Sequence, residues 1–413
     1  MSGDLIECES GLLPVGSAVL CLDLVEAVFQ QALATRSLFK RREILLPDYE
    51  PDCILHRDEE LRAFAQILAP ALRGDRILNA MLFGLPGTGK TVVARYVLRR
   101  FASVARAQDR SVRVLYVNCR VEGSEYKVLV AMCRELGVDV PSTGLAKAEL
   151  YARLFRAVDA RGGAVIAVLD EVDAVYRPGE SQLLYLLTRM NESTRRGKLS
   201  LTIISNSVTF KELMDARERS ALFEEEILFH PYTFEQLYDI LKHRAELAFH
   251  EGVVPEETLR YCAAIAAKEH GDARRALHLL RVAGELADRA GAPQVTPQHV
   301  DAAIAAIDRQ VVRSALASLP IHAKLVLLAV ARLCYQRGSD PTSGEVFAYY
   351  ARLCRERRLR PRNERTFRSI VANLDLYGLV TARLESRGRY GRTRRIHALV
   401  TPEEVEAALC SER

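Results

Sequence analysis

The chain alternates between short, almost wholly apolar runs and longer stretches in which apolar residues recur every three or four positions. The short runs are typical of strands buried on both faces of a parallel sheet: 77–83, 113–119, 163–169 and 199–205. Helical spacing follows the first run over 92–105 and the second over 125–136. This alternation predicts a doubly wound α/β domain, in which ligands bind at the carboxyl ends of the strands.

From residue 233 onward the pattern changes. Four helical runs separated by glycine and proline predict a small all-helical domain: 234–250, 255–269, 273–290 and 297–307. Three further helices are predicted over 321–335, 343–358 and 363–376, and 378–384 with 394–400 predicts a hairpin. Three helices and a hairpin make a winged helix. The predicted domains are an N-terminal extension (1–45), the α/β domain (46–232), the lid (233–307) and the winged helix (308–413).

A glycine-rich loop joins the first predicted strand to its helix. It reads Gly84-Leu85-Pro86-Gly87-Thr88-Gly89-Lys90-Thr91 and fits the phosphate-loop pattern G-x-x-x-x-G-K-[ST] at every fixed position. Glycines let backbone N–H groups converge on phosphate oxygens, and the following helix points its positive dipole end at them. Lys90 adds a full charge and Thr91 a hydroxyl for Mg²⁺. The loop therefore predicts an ATP/ADP site with Mg²⁺.

Two other strand ends carry polar residues. Asp170 and Glu171 end the third apolar run, and Asn206 follows the fourth. In a nucleotide hydrolase, Asp170 would hold Mg²⁺ and Glu171 would deprotonate the attacking water. Asn206 would position that water, or would only begin a turn.

Composition narrows the class of protein. Of 413 residues, 49% are hydrophobic, but no apolar run approaches the roughly 20 residues that span a membrane. The acidic N-terminus is unlike a secretory signal, so we expect a cytoplasmic protein with no membrane partner. The nine cysteines are scattered and no C-x-x-C pair occurs, which predicts neither a disulfide framework nor a zinc site.

Positive charge is concentrated near the C-terminus. Residues 352–395 contain fourteen arginines and four acidic residues, so this segment carries +10 whereas the whole chain carries +5. Such a block favours a polyanionic partner, and a winged helix offers two DNA-contacting elements. The third helix would lead with Asn363, Arg365, Thr366 and Arg368, and the hairpin would contribute Arg387, Arg389, Arg392 and Arg394. Winged helices also bind proteins, so a protein partner is the alternative interpretation of this domain.

The phosphate loop, the Asp-Glu strand, the Asn-tipped strand and the helical lid together resemble an AAA+ ATPase. Within that superfamily the chain is similar to archaeal replication initiators related to the eukaryotic origin recognition complex and its helicase-loading partner. Four segments carry this closer resemblance: Leu46-Pro47-Asp48-Tyr49 with His56-Arg57-Asp58-Glu59; Phe229-His230-Pro231-Tyr232-Thr233 with Ile240-Leu241-Lys242-His243-Arg244; Gly271-Asp272-Ala273-Arg274-Arg275-Ala276-Leu277; and Gly388-Arg389-Tyr390-Gly391-Arg392-Thr393.

The resemblance implies roles for further residues. It assigns Tyr232 and Arg244 to the nucleotide pocket, and Arg274 to the second sensor that reaches the γ phosphate. In the superfamily the arginine finger usually comes from a neighbouring subunit. The residue that matches it here is Arg217, with Arg219 as the alternative. The helix over 122–137 matches one that contacts DNA in the family, and its candidate contacts are Lys127 and Arg134.

The function implied is that of an ATP-binding initiator that recognises double-stranded origin DNA. The resemblance adds recruitment of the replicative helicase, slow ATP hydrolysis as a switch, association with the nucleoid and a related initiator subunit as a further partner. The first rival is an ATP-dependent transcription regulator. A small-molecule kinase is the second rival, but it leaves the lid and the DNA reader unexplained.

Overall fold

The computed structural model describes residues 26, 37–75, 77–222, 224–386 and 392–410. Contacts divide the chain into two compact units, Met1–Val300 and Asp301–Arg413, and each is described by itself. Among the described residues, no helix is both long enough and apolar enough to cross a bilayer.

The first unit is built on a five-stranded parallel sheet in the order β2-β3-β4-β1-β5. Its strands are β1 Ala80–Gly84, β2 Val112–Asn118, β3 Gly163–Asp170, β4 Gly197–Ser205 and β5 Glu225–Phe229. The four predicted strands are confirmed, with small differences at their ends. The fifth was not predicted, because this edge strand opens with two exposed glutamates and buries only Ile227 and Phe229.

Helices cover both faces of the sheet, as the apolar strands require. Alternate residues of β3 enter different clusters: Val165 and Ala167 pack into one, Ile166 and Val168 into the other. The helices of this domain are α1 Asp58–Leu68, α2 Lys90–Ala107, α3 Cys119–Glu122, α4 Glu125–Glu135, α5 Lys147–Arg161, α6 Leu183–Ser193, α7 Phe210–Leu213 and α8 Ala216–Leu222.

The lid follows β5 and is entirely helical. Its helices are α9 Phe234–Ala248, α10 Glu256–Lys268, α11 Ala273–Arg289 and the first part of α12 Pro297–Ser318. A capping box starts α9: the Thr233 hydroxyl accepts from the Gln236 N–H, and the Gln236 side chain accepts from the Thr233 N–H. The four predicted lid helices are confirmed, and the last runs beyond its predicted end at residue 307.

The second unit contains the predicted three helices and hairpin. They are α13 Ile321–Arg337, α14 Ser343–Glu356, α15 Glu364–Leu376, and the antiparallel pair β6 Val380–Ser386 and β7 Arg392–Ala398. A further helix that was not predicted, α16 Pro402–Cys410, packs against α13. The core includes buried Leu325, Tyr350, Phe367 and Ile396, which join α13, α14, α15 and β7.

Candidate nucleotide site and nucleic-acid interface

The phosphate loop leaves β1 and enters α2 in a conformation that requires glycine. Gly84 has φ of 149°, and a Cβ there would lie 2.4 Å from the Phe229 carbonyl oxygen. Gly87 has φ of 75°, and its Cβ would lie 1.8 Å from Asp272 Oδ1. A side chain at either position would therefore need left-handed backbone and would collide with β5 or with the lid.

Lys90 is held inside this loop. It is 3% exposed, and its Nζ donates to the carbonyl oxygens of Gly84 at 2.8 Å and Leu85 at 2.7 Å. Burial, and then the nearby positive charge of Arg274, lower the pKa of Lys90 to about 8. A further partner is the Thr88 hydroxyl at 3.5 Å, and a buried ammonium with only neutral hydrogen-bond partners is suited to an incoming phosphate.

Thr91 and Asp170 meet at the carboxyl end of the sheet. The Thr91 hydroxyl donates to Asp170 Oδ2 at 3.1 Å, and the Tyr116 hydroxyl donates to the same oxygen at 2.5 Å. Burial and the charge of Asp170 raise the pKa of Tyr116 well above its ordinary value. A hydroxyl and a carboxylate are oxygen ligands of the kind Mg²⁺ prefers, so the predicted pair lies together.

Glu171 is held by two neighbours. Arg120 Nε forms an ion pair with Oε2 at 2.7 Å, and Asn206 Nδ2 donates to Oε1 at 3.3 Å. Its φ of 53° is left-handed, which is uncommon for a non-glycine residue and often marks a functional site. Asp173 links the two strand ends, since its Oδ1 accepts from the Asn206 N–H at 3.1 Å. The predicted base and the predicted polar tip are therefore in contact.

A pocket with about 1130 Å³ of empty space, part of it open to solvent, lies beside the phosphate loop. It is enclosed by residues 45–51 and 53–55, by the loop and by the lid helices α9 and α11. Arg57 joins these parts: Nε donates to the Thr88 carbonyl at 3.1 Å, Nη2 donates to the His230 carbonyl at 2.6 Å, and the guanidinium lies 4.0 Å from the centre of the Tyr232 ring. Tyr232, predicted to bind nucleotide, lines this pocket.

Arg244 also lines the pocket, as predicted. Its guanidinium lies 4.6 Å from the centre of the Tyr49 ring, and burial lowers its pKa from the ordinary arginine value. Nη1 is buried and has no hydrogen-bond partner among the described residues. An unpaired buried donor is costly, so Arg244 fits a polar ligand at this position.

The lid touches the phosphate loop where α11 begins. The Ala273 N–H donates to the Gly87 carbonyl at 3.2 Å, and the Asp272 side chain caps the helix by accepting from the Arg274 N–H at 2.7 Å. Arg274 is exposed, lines the pocket and is close enough to lower the pKa of Lys90. These contacts place the predicted sensor at the phosphate end of the pocket.

Arg217 and Arg219 lie on α8, are both exposed and do not line the pocket. Between them, Glu218 is 3% exposed, and the Tyr176 hydroxyl donates to its carboxylate at 2.6 Å. This buried bond explains how an acidic side chain is accommodated in the interior at this position. It fixes α8 to the segment after β3, while both arginines face outward.

The candidate DNA contacts of the first unit lie on α4, away from the nucleotide pocket. Lys127 and Arg134 are both exposed. Arg134 already donates to the Val140 carbonyl at 3.2 Å and to the Ser142 hydroxyl at 2.9 Å, which holds the loop that follows. Arg134 is therefore partly engaged within the chain, and Lys127 is the more available of the two side chains.

In the winged helix, Asn363 caps α15, since its side-chain oxygen accepts from the Thr366 N–H at 2.9 Å. Arg365 and Arg368 are exposed on the first turns of the helix, and Arg368 pairs with Glu364 at 3.1 Å. On β7, Arg394 is partly buried. Three predicted wing contacts cannot be described: Arg387 and Arg389 lie outside the described residues, and so does the side chain of Arg392.

Sequence reasoning missed three residues of the nucleotide site: Arg57, Tyr116 and Arg120. Arg120 follows β2, so the rule that ligands bind beyond strand ends could have identified it. Tyr116 lies inside that strand, and Arg57 acts through contacts with residues 88, 230 and 232. Both depend on tertiary contacts that the local pattern does not contain.

Three family models match the chain in order. Residues 76–211 match an AAA domain, residues 238–305 the Cdc6 AAA+ ATPase-type lid domain, and residues 314–408 the CDC6 C-terminal winged helix domain. These matches confirm the fold class: an AAA+ domain with a helical lid and a winged helix.

Full-length relatives agree with the domain matches. The chain is 45% identical over 391 residues to ORC1-type DNA replication protein 1 of Aeropyrum pernix, covering 94% of this chain and 98% of the relative. It is 40% identical over 385 residues to the ORC1-type DNA replication protein of Pyrococcus abyssi, covering 92% of each. The Aeropyrum pernix ORC1 protein solved in complex with DNA superposes with a TM-score of 0.80 at 45% identity, over 91% of this chain and 97% of that one. The chain belongs to the family of ORC1-type DNA replication proteins.

Proposed function

We propose that this protein is a replication initiator that binds ATP and double-stranded origin DNA. The observation that carries the proposal is the combination of parts in one chain. A phosphate loop holds Lys90 and hydrogen-bonds through Thr91 to Asp170, which is followed by Glu171, and a winged helix presents exposed arginines. A similar protein has been solved with DNA, which supports the second part.

In the nucleotide pocket, Lys90 and the loop N–H groups would hold the phosphates, and Tyr232 and Arg244 would line the remainder. Thr91 and Asp170 would hold Mg²⁺, which when bound neutralises phosphate charge. Glu171 would accept the proton of the attacking water, and Arg274 would report the γ phosphate to the lid. Tyr116 and Arg57 would position Asp170 and the loop.

We further propose that hydrolysis is slow and acts as a switch. Arg120 and Asn206 each bind one Glu171 oxygen, so this chain already orients the proposed base. Arg217 faces outward from α8, where it could serve a neighbouring initiator subunit. An arginine finger contributes a factor of about 1,000 or more, so an isolated chain lacks a large part of the rate.

The DNA contacts proposed are Asn363, Arg365, Thr366 and Arg368 on α15, the four wing arginines, and Lys127 and Arg134 on α4. Recruitment of the replicative helicase and association with the nucleoid belong to the same proposal and are supported by family membership alone.

Footprinting on fragments selected from the source genome tests this function. We expect ATP-bound protein to protect a few discrete duplex sites, each within a replication origin. Protected sites confined to promoters would instead support the ATP-dependent transcription regulator and would contradict the initiator.

A further inference from the structure

Three side chains of different chemistry converge in the second unit. Cys334 lies on α13, Asp340 in the segment between α13 and α14, and His397 on β7. The Cys334 Sγ, an Asp340 carboxylate oxygen and a His397 ring nitrogen all lie within 4.8 Å of one another. His397 Nδ1 and Asp340 Oδ1 are 2.7 Å apart.

These donors match one class of ligand. Thiolate, imidazole and carboxylate are the three protein ligands of zinc, at bond lengths of about 2.0 to 2.3 Å, whereas Mg²⁺ and Ca²⁺ favour oxygen alone. A tetrahedral ion with such bonds separates its ligand atoms by roughly 3.5 Å. The His397–Asp340 contact of 2.7 Å is shorter than this separation and the outer limit of 4.8 Å is longer, so shifts of about 1 Å in these side chains would bring the three atoms to it.

The surrounding charges leave room for a cation. The Arg395 guanidinium contacts this segment, but Nη1 binds the Asp340 backbone carbonyl at 2.9 Å and Nε binds Glu385 at 2.7 Å. Its charge is therefore partly compensated by Glu385, and the Asp340 carboxylate remains available. The Cys334 thiol is only half-buried, with its sulfur 3.7 Å from the Ile396 carbonyl.

We propose that Cys334, Asp340 and His397 bind a divalent transition-metal ion, with Zn²⁺ as the best match and water as the fourth ligand. The ion would fasten the segment before α14 to the base of the hairpin. That junction is held by the Ile396 N–H donating to the Pro341 carbonyl at 3.0 Å and by the Arg395 contact. This site would be separate from the nucleotide site and structural in role.

The test uses the full-length protein freed of metal with a chelator. Co²⁺ is added first, because a thiolate ligand gives a sulfur-to-cobalt absorption band, and Zn²⁺ is then titrated by calorimetry. The variants are His397→Ala, Asp340→Asn and Cys334→Ser. Cys53→Ser is the matched control, since Cys53 is an exposed free cysteine of the first unit.

We expect one Zn²⁺ per chain that binds roughly 100-fold more weakly in His397→Ala and Cys334→Ser, and a cobalt–sulfur band lost only in Cys334→Ser. Saturating Zn²⁺ should raise the unfolding midpoint of the wild type by about 5 °C or more, and that of His397→Ala much less. Because His397 is exposed, its replacement leaves the fold intact. Equal Zn²⁺ binding by wild type and His397→Ala, or no cobalt–sulfur band in the wild type, would overturn the site.

Discussion

Two charged side chains of the nucleotide site are buried and hydrogen bonded, whereas the candidate DNA contacts on α15 are arginines exposed to solvent. Lys90 and Asp170 are 3% and 1% exposed, and each has defined partners within the same chain. Arg365 and Arg368 are exposed, and Arg368 has only a surface ion pair. We therefore expect chemistry in the pocket to depend on single residues, and DNA binding at the surface to depend on summed charge.

The largest expected effect is on Glu171. Glu171→Gln keeps the shape and the contact with Asn206 but removes the proton acceptor, so single-turnover hydrolysis should fall roughly 100- to 10,000-fold. ATP affinity, measured by calorimetry, should change little. Glu180→Gln, an exposed glutamate nine positions later, is the control. Hydrolysis at the wild-type rate in Glu171→Gln would remove the proposed base.

Lys90→Ala should weaken the binding of ATP. It removes a buried charge that would contact phosphate, which corresponds to roughly a 100-fold loss of ATP affinity, or about 3 kcal/mol. A titration with a fluorescent ATP analogue measures it, and Lys268→Ala on the lid surface is the control. Comparable losses in the two variants would show that the pocket does not depend on this single residue.

Each single substitution on the candidate DNA-binding surface should change the salt dependence of DNA affinity by a small amount. Arg365→Ala should lower the slope of log affinity for duplex DNA against log salt by about one, and Arg389→Ala or Arg392→Ala should do the same. Anisotropy titrations at several salt concentrations give the slope. Arg289→Ala, an exposed arginine at the end of α11, should leave it unchanged. An unchanged slope in Arg365→Ala would remove α15 from the DNA.

The smallest expected effect is the dependence of ATP affinity on pH. Burial, followed by the charge of Arg274, holds the pKa of Lys90 at about 8 in the free protein, and a bound phosphate would raise it. ATP affinity should therefore be constant below pH 8 and fall as pH rises above it. Binding at pH 8.5 should take up roughly half a proton or more, measured by calorimetry in buffers of different ionisation heat. Lys90→Arg, which stays charged, should show no uptake. Equal heats in all buffers would contradict the lowered pKa.

The parts that sequence predicted well are those whose signal is contiguous. The phosphate loop, the Asp170-Glu171 strand end and the lid helices depend on spacing within a few residues. The structure brings the residues predicted to act in hydrolysis close together. The edge strand β5 was missed because its burial alternates and its first residues are charged.

Contacts between distant residues were the parts that could not be predicted. Arg57 binds carbonyls of residues 88 and 230, and Cys334 meets His397 across 63 positions with no ligand spacing motif. Glu218 shows the same limitation. A glutamate between two exposed arginines gives no sign of burial in the sequence, and only the tertiary contact with Tyr176 explains why this carboxylate is accommodated in the interior.

We propose that ATP works here as a switch whose hydrolysis depends on a neighbouring molecule. Single-turnover hydrolysis, measured over a range of protein concentrations with and without duplex DNA, tests it most directly. We predict slow turnover when the protein is dilute, faster turnover as molecules assemble, and loss of that increase in Arg217→Ala with ATP binding intact. Fast turnover by a dilute monomer would contradict the claim, since the active arginine would then come from the same chain.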